Sequence, residues 1–317
     1  MPRVLITGGA GNLGRLAAAL FAERGYEVSL FDRFRPEEAP YPWQTEHTAY
    51  TGELWDGEAV ERAFDAVRAD VVVHLGANPL ASDHPERKPF GIYTHYSAVP
   101  RDDTMKSNVL GAYYVLDNAA RTGVRRIVGA SSFFVLGLGN RISGTPFIPD
   151  YLPMDEGHPN RPEDTYSLSK LLNEEMYDAY ARAYGITIVA LRFLGVYYRH
   201  SPEQPGRFRE SPRPPADPRG LENVWMYADG RDAAHAILLA AEAEGLGPFE
   251  AFFIATGRAI KDSPKRWLME HYPALAVKAQ SLGEWDDMIS IAKARRLLGY
   301  EPRHFWLDEY PEMMAAE

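Results

Sequence analysis

The chain has 317 residues, a formal net charge of −10 and no cysteine. Its length suits one large α/β domain or two smaller ones. The lack of cysteine excludes disulfides, thiolate nucleophiles and cysteine-ligated metal centres. The acidic balance argues against general nucleic-acid binding, and no apolar run approaches the ~20 residues that span a bilayer. A strand-like run opens the sequence with no signal peptide before it, which predicts a cytoplasmic protein.

Strand-like and helix-like segments alternate along the first 130 residues. Apolar runs predict buried strands at 4–6, 28–31, 71–73 and 126–130, and helical periodicity predicts helices at 13–24, 59–67 and 105–121. Farther along, the pattern predicts helices at 166–184 and 232–243, strands at 187–191 and 251–255, and a Pro- and Arg-rich surface loop at 199–219. Strands that are apolar throughout and separated by helices predict a doubly wound parallel sheet of the α/β class.

A glycine-rich loop joins the first strand to the first helix. Gly8, Gly11 and Gly14 have G-x-x-G-x-x-G spacing, in the strand–loop–helix context of a dinucleotide fingerprint. Glycines let the backbone turn tightly and approach a pyrophosphate, whose charge is stabilised at the helix N-terminus. The alternative is a tight turn that binds nothing. We predict cofactor binding by this loop, including Asn12 and Leu13.

Asp32 ends the second strand, 18 residues after Gly14. A carboxylate at this place accepts hydrogen bonds from the ribose hydroxyls and repels a 2′-phosphate. Arg33 and Arg35 follow it and could soften that preference, and the alternative role of Asp32 is a solvated turn residue. The sequence therefore predicts NAD as the cofactor, with NADP less favoured.

Tyr166 and Lys170 stand four residues apart at the start of a predicted helix, which puts them on one face. An ammonium group beside a phenol lowers the phenol pKa. The tyrosine can then act as a base on an alcohol or as an acid on a ketone. This spacing is common by chance in surface pairs. The glycine-rich loop, together with Ser131 and Ser132 at the end of an upstream strand, favours a catalytic pair.

Nine motifs follow one another in a specific order along nearly the whole chain. They are T-G-G-A-G-N-L-G at 7–14, V-H-L-G-A at 73–77, N-V-L-G at 108–111, A-S-S at 130–132 with Gly137, D-E at 155–156, Tyr166 to Lys170, L-R-F at 191–193, Y-A-D-G-R-D at 227–232 and L-G-Y-E-P at 298–302. Together they resemble the extended short-chain dehydrogenases/reductases. That group contains NAD-dependent epimerases, dehydratases and uronate dehydrogenase.

The resemblance implies a Rossmann-type doubly wound parallel sheet with a small mixed C-terminal substrate-binding region. We expect residues 1–195 to form the NAD-binding domain, with 220–256 returning to it in part. Residues 196–317 would then form mainly a substrate-binding cap. The resemblance also implies a homodimer that packs through the helices at 105–121 and 166–184, although tyrosines on the second helix could equally serve the core.

The resemblance assigns roles to individual residues. Tyr166 would be the acid/base, Lys170 would hold the nicotinamide ribose and tune Tyr166, and Ser132 would contact the substrate hydroxyl. Ser131 is the competing choice for that contact, and Asn108 would be a structural or relay residue. The further cofactor contacts implied are Arg33, Glu53 (where the family has aspartate), Leu54, Leu75, Gly76 and Ala77.

Three departures from the family pattern bear on the substrate. Gly195 stands where nucleotide-sugar enzymes have an asparagine, and the segment 197–225 is short for holding a nucleotide diphosphate. The segments 78–101 and 138–153 are long and could close over a compact substrate. These departures favour a compact hydroxy substrate near Phe133. Arg192 and Arg199 could supply a cationic rim for a carboxylate or phosphate, and a solvated basic loop is the equal alternative.

The sequence thus predicts an NAD(P)-dependent oxidoreductase. It would move a hydride between nicotinamide and a secondary hydroxyl or ketone of a sugar, uronate or other small polar substrate. A nucleotide-sugar 4-epimerase or dehydratase that retains NAD is the alternative, and a non-catalytic NAD(P)-sensing protein is less favoured. The nine histidines show no metal-binding spacing. We therefore expect no metal, no nucleic-acid partner and no membrane partner.

Overall fold

A computed structural model describes residues 1–39, 42–83, 100–198, 226–258 and 263–305. Its strands are β1 (Arg3–Thr7), β2 (Glu27–Asp32), β3 (Thr48–Thr51), β4 (Val71–His74), β5 (Arg126–Ser132), β6 (Thr187–Phe193), β7 (Val196–Tyr197), β8 (Met226–Asp229), β9 (Phe249–Ile254) and β10 (Gly257–Arg258). Seven of them form one sheet in the order β3-β2-β1-β4-β5-β6-β9, and every pairing within it is parallel. The predicted doubly wound sheet is confirmed.

Helices cover both faces of this sheet. They are α1 (Asn12–Glu23), α2 (Gly57–Val67), α3 (Asp103–Met105), α4 (Gly111–Thr122), α5 (Thr165–Tyr184), α6 (Gly230–Glu242), α7 (Pro264–His271), α8 (Ala276–Ala279) and α9 (Ala292–Leu298). The helix predicted at 105–121 is wrong as a single α-helix, because a π-helical turn at Lys106–Leu110 separates α3 from α4. Such turns are frequent at functional sites.

Successive strand residues point to opposite faces of the sheet, so their side chains contribute to two hydrophobic layers. On one face, Val4 of β1 belongs to a buried cluster that includes Phe21 of α1 and Ile237 of α6. On the other face, Leu5 of β1 belongs to a cluster that includes Phe64 of α2. Both faces are dry, so the sheet is a rigid base that presents the carboxyl ends of its strands at one edge.

The residues after β6 build a smaller lobe. Strands β7, β8 and β10 form a three-stranded mixed sheet, and a third hydrophobic cluster, which includes Leu194, Leu268 and Met288, lies in this region. The chain returns to the main sheet through α6 and β9, inside the segment 220–256. The domain boundaries themselves stay a prediction. Within the described ranges, no helix combines the length and apolarity needed to cross a membrane.

Candidate active site

The glycine-rich loop lies at the carboxyl ends of β1 and β4, where the strand order of the sheet reverses. Gly8 has a φ of +70°, and a Cβ there would come within 2.7 Å of the Gly76 backbone nitrogen. A Cβ on Gly14 would overlap the Gly8 carbonyl oxygen. Neither position can accept a side chain. The backbone is therefore bare, as close approach to a pyrophosphate requires.

Helix α1 begins at this loop without a side-chain cap, because its N-cap residue is Gly11. The side-chain oxygen Oδ1 of Asn12 is buried and has no partner among the described residues. Leu13 packs against the hydrophobic cluster shared by α1 and α6. A bare loop, uncapped backbone N–H groups and an orphaned polar atom together form a cradle that fits the diphosphate of a dinucleotide.

Asp32 stands at the end of β2 and contacts the same loop. Its Oδ2 accepts a hydrogen bond from the Ala10 backbone at 3.0 Å, and its Oδ1 accepts one from the Phe34 backbone at 3.2 Å. Burial raises the pKa of Asp32 above its ordinary value, and these backbone hydrogen bonds oppose that rise. A carboxylate has about four acceptor sites, so Asp32 keeps capacity for the hydroxyls of a ribose.

Arg33, Glu53 and Leu54 lie beside Asp32. The Arg33 Nη2 atom is 2.9 Å from Glu53 Oε1. Leu54 is buried, and its Cδ1 atom lies 2.7 Å from where a Cβ of Gly76 would be. Glu53 and Leu54 are thus adjacent to the loop region, and their roles as adenine contacts stay predictions.

The segment after β4 is tied to β1 by a threonine. Leu75 N donates to the Thr7 carbonyl at 3.1 Å, and Gly76 N donates to Thr7 Oγ1 at 3.3 Å. The same hydroxyl lies 2.7 Å from Nδ1 of His74, which is buried. These contacts hold Leu75, Gly76 and the following Ala77 against the cradle. Thr7 and His74 belong to the motifs at 7–14 and 73–77, but sequence reasoning gave neither residue a role of its own.

Ser132, Tyr166 and Lys170 meet at the carboxyl end of β5. Ser132 is the last residue of that strand. Its side chain accepts a hydrogen bond from Phe134 N at 3.2 Å and lies close enough to Tyr166 to lower the pKa of the phenol. Lys170 is buried and its Nζ atom donates to the Ala130 carbonyl at 2.9 Å. The same Nζ lies 5.7 Å from the centroid of the Tyr166 ring. The structure therefore brings the three predicted catalytic groups together beside the cofactor cradle.

The start of α5 is held from two sides, which sets the position of Tyr166. The N-cap residue Asp164 accepts hydrogen bonds from Ser167 N at 2.9 Å and Ser167 Oγ at 2.6 Å. Asp83 accepts hydrogen bonds from the Thr165 backbone and hydroxyl at 3.1 and 2.7 Å. An Asp three residues before a Ser at a helix start is a recognisable capping pattern, so this support was open to sequence reasoning and was overlooked.

The pKa of Tyr166 differs from the sequence-based expectation. Burial raises it to about 12, and the nearby Ser132 side chain acts in the opposite direction. Burial also lowers the pKa of Lys170 to about 8. The expected lowering of the Tyr166 pKa is therefore not found in the protein alone, because the loss of hydration sets the direction of the shift.

The two adjacent serines at the end of β5 have different partners. The Ser131 hydroxyl donates to Glu174 Oε1 at 2.5 Å, and Arg192 binds the same carboxylate through Nε at 2.9 Å and Nη2 at 2.7 Å. Ser131 is thereby occupied in the interior, and Ser132 is the serine that reaches Tyr166. Arg192 is also buried, so the structure contradicts its predicted place in a cationic rim.

Asn108 lies in the π-helical turn and is buried. Its Nδ2 atom donates to the Asn78 carbonyl and to Ser169 Oγ, both at 2.9 Å, while its Oδ1 accepts from Asn78 N at 2.7 Å. Ser169 Oγ in turn donates to the Tyr166 carbonyl at 2.7 Å. Asn108 therefore links the segment after β4 to the first turn of α5, a structural position consistent with its prediction.

Of the predicted substrate contacts, Phe133 is buried in the hydrophobic cluster of the smaller lobe. Its neighbour Phe134 instead meets the Tyr166 ring edge-on, with centroids 6.3 Å apart. The aromatic wall beside the tyrosine is thus Phe134, which no sequence signal distinguished from Phe133. Arg199 and the predicted loop at 199–219 lie outside the described residues.

Within the described part of the chain, no group of three or more His, Asp or Glu side chains could hold a metal ion. The site therefore consists of a cradle that fits a dinucleotide and a Ser–Tyr–Lys cluster at neighbouring strand ends. Both belong to one edge of the sheet, where ligands bind in doubly wound folds.

Comparison with known proteins agrees with this geometry. The sequence model of the NAD dependent epimerase/dehydratase family matches residues 4–255. A UDP-glucose 4-epimerase of Halalkalibacterium halodurans is 26% identical over 191 residues, covering 60% of this chain and 50% of that protein. A uronate dehydrogenase of Pseudomonas syringae pv. tomato is 28% identical over 190 residues, covering 60% and 58%. The chain thus spans only about half the length of these relatives.

Among solved structures, a UDP-galactose 4-epimerase superposes with a TM-score of 0.65 at 24% identity, covering 99% of this chain and 98% of that one. At this identity the likeness shows the fold. Together with the family match it confirms the predicted fold class and the family resemblance.

Proposed function

The chain belongs to the NAD dependent epimerase/dehydratase family, and on that premise we propose that it oxidises or reduces a small polar substrate. The reaction would move a hydride between NAD and a secondary hydroxyl or ketone of a sugar or uronate. The observation that carries the proposal is the meeting of Ser132, Tyr166 and Lys170 at the end of β5, beside a cradle that fits a dinucleotide.

The chain's own groups account for the proton in this reaction. Tyr166 would accept the proton of the substrate hydroxyl during oxidation and return it to the ketone during reduction. Ser132 would orient the reacting oxygen, and Lys170 would bind the nicotinamide ribose. When bound, NAD supplies the hydride acceptor and, in its oxidised form, a positive charge that favours the tyrosinate.

The substrate proposal rests on size and on relatives. Gly195 replaces the asparagine that the resemblance leads one to expect in nucleotide-sugar enzymes, which leaves one fewer amide to hold a bulky nucleotide diphosphate. Phe134 forms an apolar wall beside Tyr166, suited to the carbon face of a compact ring. One relative is a uronate dehydrogenase, which has a substrate of this class.

A second candidate is a nucleotide-sugar 4-epimerase or dehydratase that retains NAD. It is favoured by the relative that is a UDP-glucose 4-epimerase. The chemistry begins with the same hydride and proton transfers, but the enzyme would reduce its own ketone intermediate before release. A non-catalytic NAD(P)-sensing protein is the weakest candidate, because Ser132, Tyr166 and Lys170 are all present and lie together at the end of β5.

One experiment separates these candidates. The purified protein is denatured and the released molecules are assayed for NAD, NADH and NADP, while NADH absorbance is followed with uronates, aldoses and hydroxy acids. Net NADH formation on one substrate, with no retained cofactor, supports the dehydrogenase. Tightly retained NAD without net NADH contradicts it and directs the next panel to nucleotide sugars.

We also propose a homodimer. Four large apolar side chains on the π-helical turn, α4 and α5 are 39–58% exposed: Leu110, Tyr113, Leu168 and Tyr184. Burying them against a second copy would remove this apolar surface from water. The cytoplasmic location and the absence of nucleic-acid and membrane partners stay predictions.

A further inference from the structure

Three charged side chains lie together at the carboxyl ends of β2 and β3. Asp32 pairs in register with Thr51. The next residue of that segment, Gly52, donates a backbone hydrogen bond of 2.9 Å to the Asp32 carbonyl. This pairing puts Glu53 beside Arg33, with Oε1 and Nη2 2.9 Å apart. Arg33 also interacts with Asp32. Burial raises the pKa of that carboxyl, and the charge and the backbone N–H of Arg33 both oppose the rise.

Two neighbouring side chains in this arrangement favour different dinucleotides. A carboxylate at the end of β2 binds the 2′-hydroxyl of NAD, whereas an arginine nearby accommodates the 2′-phosphate of NADP. Asp32 is a carboxylate of the first kind, and the next residue, Arg33, is an arginine of the second kind. The Arg33 side chain is 41% exposed, so it lies within reach of solvent and of a ligand. Whether the site favours NAD or NADP therefore depends on whether the Arg33 guanidinium pairs with a carboxylate of the protein or with the 2′-phosphate of the ligand.

We propose that Glu53 is a selectivity determinant, which holds the Arg33 guanidinium and so withholds it from a 2′-phosphate. Glu53 stands where the family pattern has a shorter aspartate, and its additional methylene gives the carboxylate a longer reach toward Arg33. The inference rests on the proposed binding of NAD at the glycine-rich loop and Asp32. It adds that the chain's preference for NAD depends on an ion pair as well as on Asp32.

The size of the effect follows from the exposure of the pair. Both side chains are partly exposed, at 41% and 32%, and such ion pairs are screened by solvent and salt. Releasing Arg33 should therefore tighten the binding of NADP⁺ by about fivefold, which corresponds to about 1 kcal/mol. The readout is the ratio of the two dissociation constants. A lost adenine contact at Glu53 would change both alike, whereas the release of Arg33 acts only on the dinucleotide that has a 2′-phosphate.

The test measures dissociation constants by isothermal titration calorimetry, so it does not depend on an identified substrate. The ligands are NAD⁺ and NADP⁺, and the variants are Glu53→Gln, Arg33→Gln and the double variant, each at low and at high salt. The control is Glu242→Gln. It removes one carboxylate from an Arg24–Glu242 pair of the same 2.9 Å separation, on helix ends far from the glycine-rich loop.

The expected result is a gain in NADP⁺ affinity for Glu53→Gln that vanishes in the double variant and shrinks at high salt, with no gain for Glu242→Gln. A gain that persists in the double variant overturns the inference, because it would come from lost negative charge alone. An unchanged ratio of the two dissociation constants in Glu53→Gln also overturns it. If the unmodified protein binds neither dinucleotide, the proposed cofactor site itself fails.

Discussion

Arg192 and Glu174 form a buried ion pair, with Nη2 and Oε2 2.7 Å apart and both side chains only 5% exposed. The same carboxylate accepts a hydrogen bond from the Ser131 hydroxyl, so one side chain of α5 joins β5 and β6 next to Ser132. The Arg192 Nη1 atom has no partner among the described residues, so the guanidinium depends heavily on this one carboxylate.

We expect Glu174→Gln to destabilise the protein strongly. The amide keeps the shape of the side chain but leaves the Arg192 guanidinium buried without a counter-charge, which costs about 3–5 kcal/mol. Urea denaturation measures the loss in the free energy of unfolding. Glu242→Gln breaks an exposed pair with Arg24 and should cost less than about 1 kcal/mol. Equal small losses in both variants would contradict the structural role of Glu174.

We expect substitutions of the two adjacent serines, Ser131 and Ser132, to have different effects on kcat. Ser132→Ala removes the hydroxyl beside Tyr166 and should lower kcat by about 10²-fold. Ser131→Ala leaves a buried carboxylate with one fewer hydrogen bond and should cost about 1–3 kcal/mol of stability with kcat retained. The measurements are turnover on the substrate that the NADH assay finds, and urea denaturation. The reverse pattern would assign the substrate contact to Ser131.

Tyr166→Phe removes the proposed proton acceptor while keeping the ring. Turnover should fall by at least about 10²-fold, with NAD⁺ affinity within a few-fold of the original by calorimetry. Near-normal turnover in this variant would refute the acid/base assignment. The paired affinity measurement distinguishes a loss of chemistry from a loss of cofactor.

Gly14→Ala should weaken NAD⁺ binding by at least about tenfold. The added Cβ overlaps the Gly8 carbonyl oxygen and must displace the loop from the cofactor. Gly25→Ala is the control, because it strains a positive φ of +88° but its Cβ meets no atom of the described residues within 4 Å. It should lower stability and leave affinity intact. A folded Gly14→Ala protein with unchanged affinity would contradict the cradle.

The buried His74 should make folding sensitive to acid. Burial and the nearby charge of Lys170 lower its pKa from 6.5 to about 3, so the folded protein binds this proton more weakly than the unfolded chain. Stability should therefore fall as the pH drops below about 6.5, by at most about 1.4 kcal/mol per pH unit from this residue. Urea denaturation at pH 7, 6 and 5 measures it, and His74→Asn should show a shallower decline. An identical pH dependence in both proteins would exclude His74 as the cause.

Tyr113→Glu tests the proposed dimer face. Tyr113 lies on α4 and is 42% exposed, so a charge there should shift the protein toward a monomer in size-exclusion chromatography with light scattering. Val277→Glu puts the same charge on a 78% exposed site of the smaller lobe and should leave the assembly unchanged. A monomer before any substitution would remove the proposal.

Most strands and helices were predictable because their signals are local. The apolar runs of β1 and β4 and the periodicity of α1 and α2 persist in the structure within one or two residues. Strand β3 was missed, since its four residues T-A-Y-T are mostly exposed and form no apolar run. The π-helical turn was also missed, because the contacts of Asn108 with Asn78 and Ser169 are distant in sequence.

The sequence by itself determined the α/β class, the glycine-rich loop and the Tyr166–Lys170 spacing, because backbone freedom and helical periodicity are properties of neighbouring residues. Only the tertiary structure decided between Ser131 and Ser132, and only it removed Arg192 from the surface. Those outcomes depend on which groups α5 and β6 bring against the end of β5. The raised pKa of Tyr166 has the same origin, since loss of hydration follows from packing between elements that are far apart in the chain.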